Sequence, residues 1–183
     1  MRTDRIDGRR FGVLADTHDN LTDWPRAVAA IRAAFGAVDG IIHCGDLSTP
    51  AALESLAAIA PVWAVRSAGD PPEAAPVLID GPRVLHVGGV RIGVVFALSG
   101  EPINAETDPT VRFGRVSGTD VAQRLFGGAV DVCCFGGTHR AETLTTGGTL
   151  YVNPGSPTLA KTRSVALLTI EGESVSVETR NLT

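Results

Sequence analysis

The first 65 residues alternate short apolar runs with helix-like segments, and this alternation constrains the fold more than any other feature. The apolar runs at 10–15, 38–43 and 62–65 are typical of buried parallel strands. Helical patterns begin at Asp23 and Thr49, and each has a proline close behind it, which the first turn of a helix tolerates. This βαβαβ half predicts a mainly parallel sheet with helices packed against it.

The second half of the chain has the pattern of antiparallel hairpins. Strand-like segments flank Gly88-Gly89, Gly147-Gly148 and Glu171-Gly172-Glu173, and such glycines favour tight turns. A further helix runs through Phe126, and an apolar strand follows at 130–135. Early helices and late strands together predict two stacked sheets flanked by helices.

Length and charge exclude several classes of protein. The 183 residues, 44% of them hydrophobic, predict a single domain over 1–183 with a sizeable core, preceded by a flexible lead-in at 1–9. A net charge of −4 argues against duplex nucleic acid as a partner. No apolar stretch approaches the roughly 20 residues that a membrane span needs. The three cysteines lie in apolar segments without zinc-finger spacing, so we expect reduced core thiols and a cytoplasmic protein.

Acidic and imidazole side chains follow the predicted strands directly. Asp16 and His18 stand two residues apart after the first strand, so their side chains start on the same face. Asp46 follows the second strand, and His139 follows the strand at 130–135. Functional groups of an open α/β sheet gather at the carboxyl ends of its strands, so we expect these side chains to converge. Two carboxylates and two imidazoles suit Mn, Fe or Zn.

Each signal has a simpler explanation when it is taken alone. Asp and His are common in turns, so Asp16-Thr17-His18 and Asp19-Asn20 also fit ordinary loops. His43 lies at the end of the second strand, where a histidine is more often a buried or supporting group than a ligand. The metal interpretation therefore depends on the whole ordered series of motifs rather than on one of them.

The ordered motifs resemble those of the calcineurin-like metallophosphoesterases, in particular their small bacterial and archaeal phosphodiesterases. The family reads D-x-H, G-D, G-N, H-G and G-H-x-H in this order. The matching segments here are Asp16-Thr17-His18, Gly45-Asp46 and Gly136-Gly137-Thr138-His139, followed by Asn153-Pro154-Gly155-Ser156, which resembles the family's N-P-G-S turn. The resemblance spans most of the chain and implies the metallophosphoesterase fold, an α/β four-layer αββα sandwich of two mixed sheets.

The resemblance also implies a two-metal site of which this chain retains one half. One metal would be held by Asp16, His18, Asp46 and His139, with Asp46 and His18 also catalytic. The second metal shares Asp46, but its other ligand positions align with Ala68, Ser99 and Gly137. The family's R-G-N-C-D segment aligns with residues 66–70. Nearby oxygen donors that would serve as substitute ligands for a hard cation are Asp70 and Glu101.

A single retained metal limits the expected chemistry. The family uses both ions to activate water and to neutralise phosphoryl oxygens. One divalent transition metal, with Mn favoured over Fe and Zn, therefore predicts weak or specialised hydrolysis of a phosphodiester or phosphomonoester. The alternative is a catalytically inactive metal-binding pseudoenzyme, acting as a scaffold or as a sensor of a phosphate-bearing ligand. In both cases we expect a phosphate-bearing small molecule, a pocket mouth shaped by 101–117, and a two-fold homodimer as the default assembly.

Overall fold

Two mixed six-stranded sheets stack face to face in the part of the chain that the structure describes. The computed structural model describes residues 1–72, 76–98 and 118–183. The α-helices in these ranges are α1 (Trp24–Phe35), α2 (Pro50–Ala57) and α3 (Gly118–Phe126), and a short 3-10 helix lies at Asp19–Leu21. The strands are β1 (Arg2–Ile6), β2 (Arg10–Leu14), β3 (Gly40–His43), β4 (Val62–Val65), β5 (Leu78–Ile79), β6 (Arg83–Val87), β7 (Val90–Val94), β8 (Val132–Cys134), β9 (Ala141–Thr146), β10 (Thr149–Pro154), β11 (Ser164–Glu171) and β12 (Ser174–Asn181).

The strand orders explain how the two halves of the sequence are combined. The first sheet has the order β1-β6-β7-β8-β10-β9, and the second has the order β12-β11-β2-β3-β4-β5. The three early strands β2, β3 and β4 are parallel, as the βαβαβ pattern predicts. The three predicted hairpins are confirmed, because β6 pairs antiparallel with β7, β9 with β10, and β11 with β12.

The layers follow from which faces of the sheets are apolar. Val13 and Ile42 of the second sheet share one buried cluster with Ile92 and Val132 of the first sheet, so the main core lies between the sheets. The outer face of the second sheet is covered by α1 and α2. The outer face of the first sheet is covered by α3, whose Phe126 is fully buried. The four-layer αββα sandwich is therefore confirmed.

Helix α1 is held close to β2, which carries the first candidate ligands at its end. Asp23 caps the helix by accepting a hydrogen bond from the Arg26 backbone N–H at 3.3 Å. Phe35, at the other end of the helix, packs flat against Gly12 of β2. A Cβ at Gly12 would lie 2.4 Å from the Phe35 ring, so only glycine allows this approach of helix to strand.

The expectation of a flexible lead-in over 1–9 is wrong for Arg2–Ile6. These residues form β1, which pairs in parallel with β6 at the edge of the first sheet. Asp4 holds the strand in place through ion pairs with Arg2 at 3.0 Å and with the buried Arg83 at 2.8 Å. The alternating charges therefore belong to an edge strand with one polar face. In the sequence alone, such a strand has the same pattern of charges as a solvated, unstructured segment.

Three further expectations concern the cysteines, membrane-spanning helices and the loop at 101–117. The three cysteines Cys44, Cys133 and Cys134 are buried and free, as predicted. Among the described residues, no helix combines the length and the apolar character needed to cross a membrane. The predicted loop at 101–117 lies outside the described residues.

Candidate metal centre

Asp16, His18, Asp46 and His139 meet where β2, β3 and β8 end, as the sequence predicts. Each residue offers one ligand atom, and these atoms all lie within 4.8 Å of one another. The Nε2 atoms of His18 and His139 are 3.2 Å apart, and His18 Nε2 lies 3.0 Å from Asp46 Oδ2. Ligands at about 2.0–2.1 Å from a tetrahedral ion are separated from each other by about 3.3 Å, so the 3.2 Å and 3.0 Å separations are those expected of ligands around one ion.

The backbone at all four ligands is in the left-handed region. The φ angles are 52° at Asp16, 41° at His18, 66° at Asp46 and 56° at His139. Ser48 is the one other non-glycine residue of the described ranges with a positive φ. Such conformations cost on the order of 1–2 kcal/mol each and persist where surrounding contacts hold them in place. This concentration of strain at the ligand positions is typical of a functional site.

The loop after β8 is tied to Asp16 by its backbone. The Gly137 N–H donates to both carboxylate oxygens of Asp16 at 3.0 Å, and the His139 N–H lies 3.4 Å from Asp16 Oδ2. Gly136 approaches so closely that a Cβ there would lie 2.6 Å from Ala15 Cβ. The first sheet therefore brings His139 to the end of a strand in the second sheet.

The Asn-Pro-Gly-Ser turn supports this loop, a role that sequence reasoning missed. Asn153 Nδ2 donates to the Gly136 carbonyl at 3.4 Å and to Thr138 Oγ1 at 3.1 Å. Ser156 Oγ donates to the backbone carbonyl of Asp16 at 2.7 Å. The turn could be recognised in the sequence. Its supporting role could not, because its hydrogen-bond partners Gly136, Thr138 and Asp16 are remote in the chain.

His43 has the supporting position that its place in the strand indicated. Its Nδ1 accepts a hydrogen bond from the Gly45 N–H at 3.1 Å, and its Nε2 lies 3.3 Å from Thr17 Oγ1. Complete burial lowers the pKa of His43 to about 4, so the ring is neutral at neutral pH. The imidazole thereby joins the segment that carries Asp16 and His18 to the loop that carries Asp46.

Asp70, a candidate substitute ligand, is occupied by backbone hydrogen bonds. Its carboxylate accepts from the N–H groups of Asp46, Leu47, Ser48 and Ser67 at 2.5–3.1 Å. Burial alone would raise the pKa of Asp70, but these donors outweigh it and hold the pKa below its usual value. Four donors fill the lone-pair positions of both oxygens, so this geometry argues for anchoring the Asp46 loop rather than for binding a cation.

Two further positions, which the resemblance aligns with ligands of a second metal, lie within the described residues and carry no metal-binding side chain. Ala68 is exposed in the turn after β4. Gly137 is also exposed, with a φ of 82°, and a Cβ there would lie 3.4 Å from Ala97 Cβ. Ser99 and Glu101 lie outside the described residues.

Burial makes the Asp16 carboxylate costly to ionise without a cation. Asp16 is inaccessible to solvent, and this burial raises its pKa to about 6, although His139 and the Gly137 N–H act in the opposite direction. Asp46 adds a further upward contribution as a neighbouring negative charge. A bound divalent ion would supply the missing positive charge at this position.

The raised pKa predicts how metal-free protein responds to pH. The carboxyl favours folding while it is protonated, and this contribution is lost as the pH rises from about 4 through about 6. At about 1.4 kcal/mol per pKa unit, the loss is at most about 3 kcal/mol. We therefore expect Asp16→Asn to be more stable than the wild type in chelator at pH 7.5, and to show little advantage near pH 4.

Urea denaturation of both proteins at the two pH values measures this difference. The two proteins differ only at residue 16, so the difference between them reports on the Asp16 carboxyl together with its interaction with His139. Addition of Mn at pH 7.5 is expected to reverse the order, because only the wild type gains the full binding contribution. Equal stabilities in chelator at pH 7.5 would contradict the prediction.

The fold and the site define the class of protein: an α/β sandwich with a group able to hold a metal ion at converging strand ends. The sequence model of the calcineurin-like phosphoesterase superfamily domain matches residues 10–173. The chain therefore belongs to the calcineurin-like phosphoesterase superfamily, whose members bind divalent metals.

Similar proteins agree with this assignment. A "probable metallophosphoesterase" of Methanocaldococcus jannaschii is 32% identical over 169 residues, which cover 88% of this chain and 76% of that protein. One of Methanothermobacter thermautotrophicus is 30% identical over 175 residues, covering 92% and 90%. Among solved structures, Vps29 of Chaetomium thermophilum has a TM-score of 0.66 and 25% identity, covering 96% of this chain and 98% of that one.

Proposed function

We propose that this protein is a metal-dependent phosphoesterase that works with one metal ion, and that it hydrolyses a phosphodiester or phosphomonoester at a weak or specialised rate. The observation that carries the proposal is the group of four converging ligands, all in left-handed backbone conformations. Strained backbone conformations cost free energy, and their concentration at the candidate ligands is typical of a site that binds an ion.

The described residues would have two roles at such a site, namely metal binding and contact with the substrate. Asp16, His18, Asp46 and His139 would hold the ion, which when bound supplies positive charge for phosphoryl oxygens and lowers the pKa of a water molecule. Asp16 is buried, whereas His18, Asp46 and His139 are partly exposed. We assign the catalytic roles to Asp46 and His18, whose Oδ2 and Nε2 atoms lie 3.0 Å apart in this partly exposed part of the group. The mixed set of oxygen and nitrogen donors suits Mn, Fe or Zn, and we favour Mn.

A pseudoenzyme is the second candidate, and one observation favours it. Ala68 and Gly137, which align with ligand positions of the family's second ion, carry no side chain that could bind a metal. Such a protein would use the retained ion to bind a phosphate-bearing ligand as a sensor, or would act as a scaffold. For either function we propose a phosphate-bearing small molecule as the partner, a cytoplasmic location and a homodimer.

Hydrolysis of a generic aryl phosphodiester separates the two candidates. We expect activity that depends on added Mn and that falls to background in Asp46→Asn, because this change removes a ligand charge and a substrate-facing carboxylate. Asp7→Asn is the matched control. Asp7 is exposed and precedes the amino end of β2, whereas the ligand group follows the carboxyl end of that strand. Metal-bound protein that hydrolyses neither phosphodiesters nor phosphomonoesters would favour the pseudoenzyme.

A further inference from the structure

The two carboxylate oxygens of Asp46 have different partners. Oδ2 faces the other ligands and lies 3.0 Å from His18 Nε2. Oδ1 accepts a hydrogen bond from the hydroxyl of Ser67 at 3.2 Å. Ser67 therefore uses one lone pair of Oδ1, whereas Oδ2 is directed at the ligand group.

The direction of the Ser67 hydroxyl is determined by its surroundings. The Gly69 N–H lies 3.3 Å from Ser67 Oγ and donates to it, so the hydroxyl proton is free to point at Asp46. The Ser67 N–H donates to Asp70 Oδ2 at 2.7 Å, and the Asp46 N–H donates to the same oxygen at 2.9 Å. Asp70 thereby ties the backbones of Ser67 and Asp46 together, and Ser67 itself is buried.

We propose that Ser67 is a positioning residue that makes Asp46 a one-oxygen ligand. Its hydroxyl donates to Oδ1 and holds the carboxylate plane, so that Oδ2 is the oxygen presented to the ion. The inference deepens the proposed function, on whose metal centre it rests.

Groups that hydrogen-bond to metal ligands affect metal binding measurably. Loss of such a partner lowers metal affinity by about 10–100-fold, because the ligand must then be ordered when the ion binds. Without the hydroxyl, both oxygens of Asp46 become available, so the coordination geometry changes as well. A purely structural role for Ser67 would alter the stability of the metal-free protein but not the geometry of the bound ion.

Cobalt(II) titration of Ser67→Ala tests the proposal, because cobalt absorbs visible light in a way that depends on its coordination. We expect one ion per chain in the wild type, at least tenfold weaker binding in Ser67→Ala, and a changed visible spectrum. Urea denaturation in chelator is expected to show a modest loss of stability, because the hydrogen bonds of the hydroxyl with Asp46 and Gly69 are removed. This loss by itself does not change the spectrum of the bound ion. Ser67→Gly lacks the same hydroxyl and is expected to behave alike, and Ser176→Ala on the exposed face of β12 is the matched control.

The outcomes distinguish this inference from the proposed function. Wild-type affinity and spectrum in Ser67→Ala would overturn the role of Ser67 and leave the phosphoesterase proposal intact. Cobalt binding that responds to Ser67→Ala, in a protein without hydrolytic activity, would support Ser67 and overturn the phosphoesterase. Failure of the wild type to bind cobalt would overturn both.

Discussion

His139→Ala is expected to abolish tight metal binding by this protein. The substitution removes one of four ligands and leaves three side chains at the ends of β2 and β3. The loss of affinity is expected to exceed the roughly 10–100-fold that follows from removing a group behind a ligand. Elemental analysis of protein purified without chelator should show one equivalent of a transition metal per wild-type chain and little in the variant.

A second histidine provides the control for this experiment. His86 lies on β6 and outside the ligand group, so His86→Ala is expected to retain the full equivalent. Unchanged metal content in His139→Ala would refute the ligand assignment. Two equivalents in the wild type, both lost on chelation, would refute the single site and direct attention to Glu101 as a further ligand.

Rebuilding the family's second site is expected to require four substitutions. Ala68→Asn, Ser99→His and Gly137→His return the family's ligand types to their aligned positions. Ser67→Gly accompanies them, because the Ser67 hydroxyl holds Asp46 Oδ1 in a hydrogen bond. Since Ser67→Gly also weakens the first site, the metal concentration must be high enough to saturate that site. Under this condition we expect the quadruple variant to bind a second ion and to gain hydrolytic rate on the order of 10²-fold, since electrostatic stabilisation is a large catalytic term. The triple variant that keeps Ser67 is expected to bind the second ion more weakly.

Gly137 is the position where this reconstruction is most demanding. Its φ of 82° lies further into positive values than those of His18 and His139, so a histidine there adds on the order of 1–3 kcal/mol of strain. Urea denaturation measures that cost separately from metal content and rate. A folded quadruple variant with two ions and no hydrolysis would show that this protein is a metal-binding module rather than an impaired enzyme.

Most of the fold was predictable because its signals are local. The apolar runs that became β2, β3 and β4 are continuous in sequence, and each hairpin turn carries one or two glycines. β1 was not predictable in the same way. Its charges alternate as in a solvated segment, and its partner β6 is remote in the chain, with Arg2 opposite Arg83. Pairing over such a separation depends on the assembled sheet and on the ion pairs of Asp4.

The ligand types and their places at strand ends could be read from the sequence alone. Asp16, His18 and Asp46 follow the neighbouring parallel strands β2 and β3, so their convergence follows from the strand pattern. His139 follows β8 of the other sheet, and it joins them because the two sheets stack. The use of the other polar groups likewise depends on the assembled fold. Backbone N–H groups occupy Asp70, and Ser67 occupies one oxygen of Asp46. These roles depend on distances of a few ångströms between loops far apart in the chain, and no local pattern of residues encodes them.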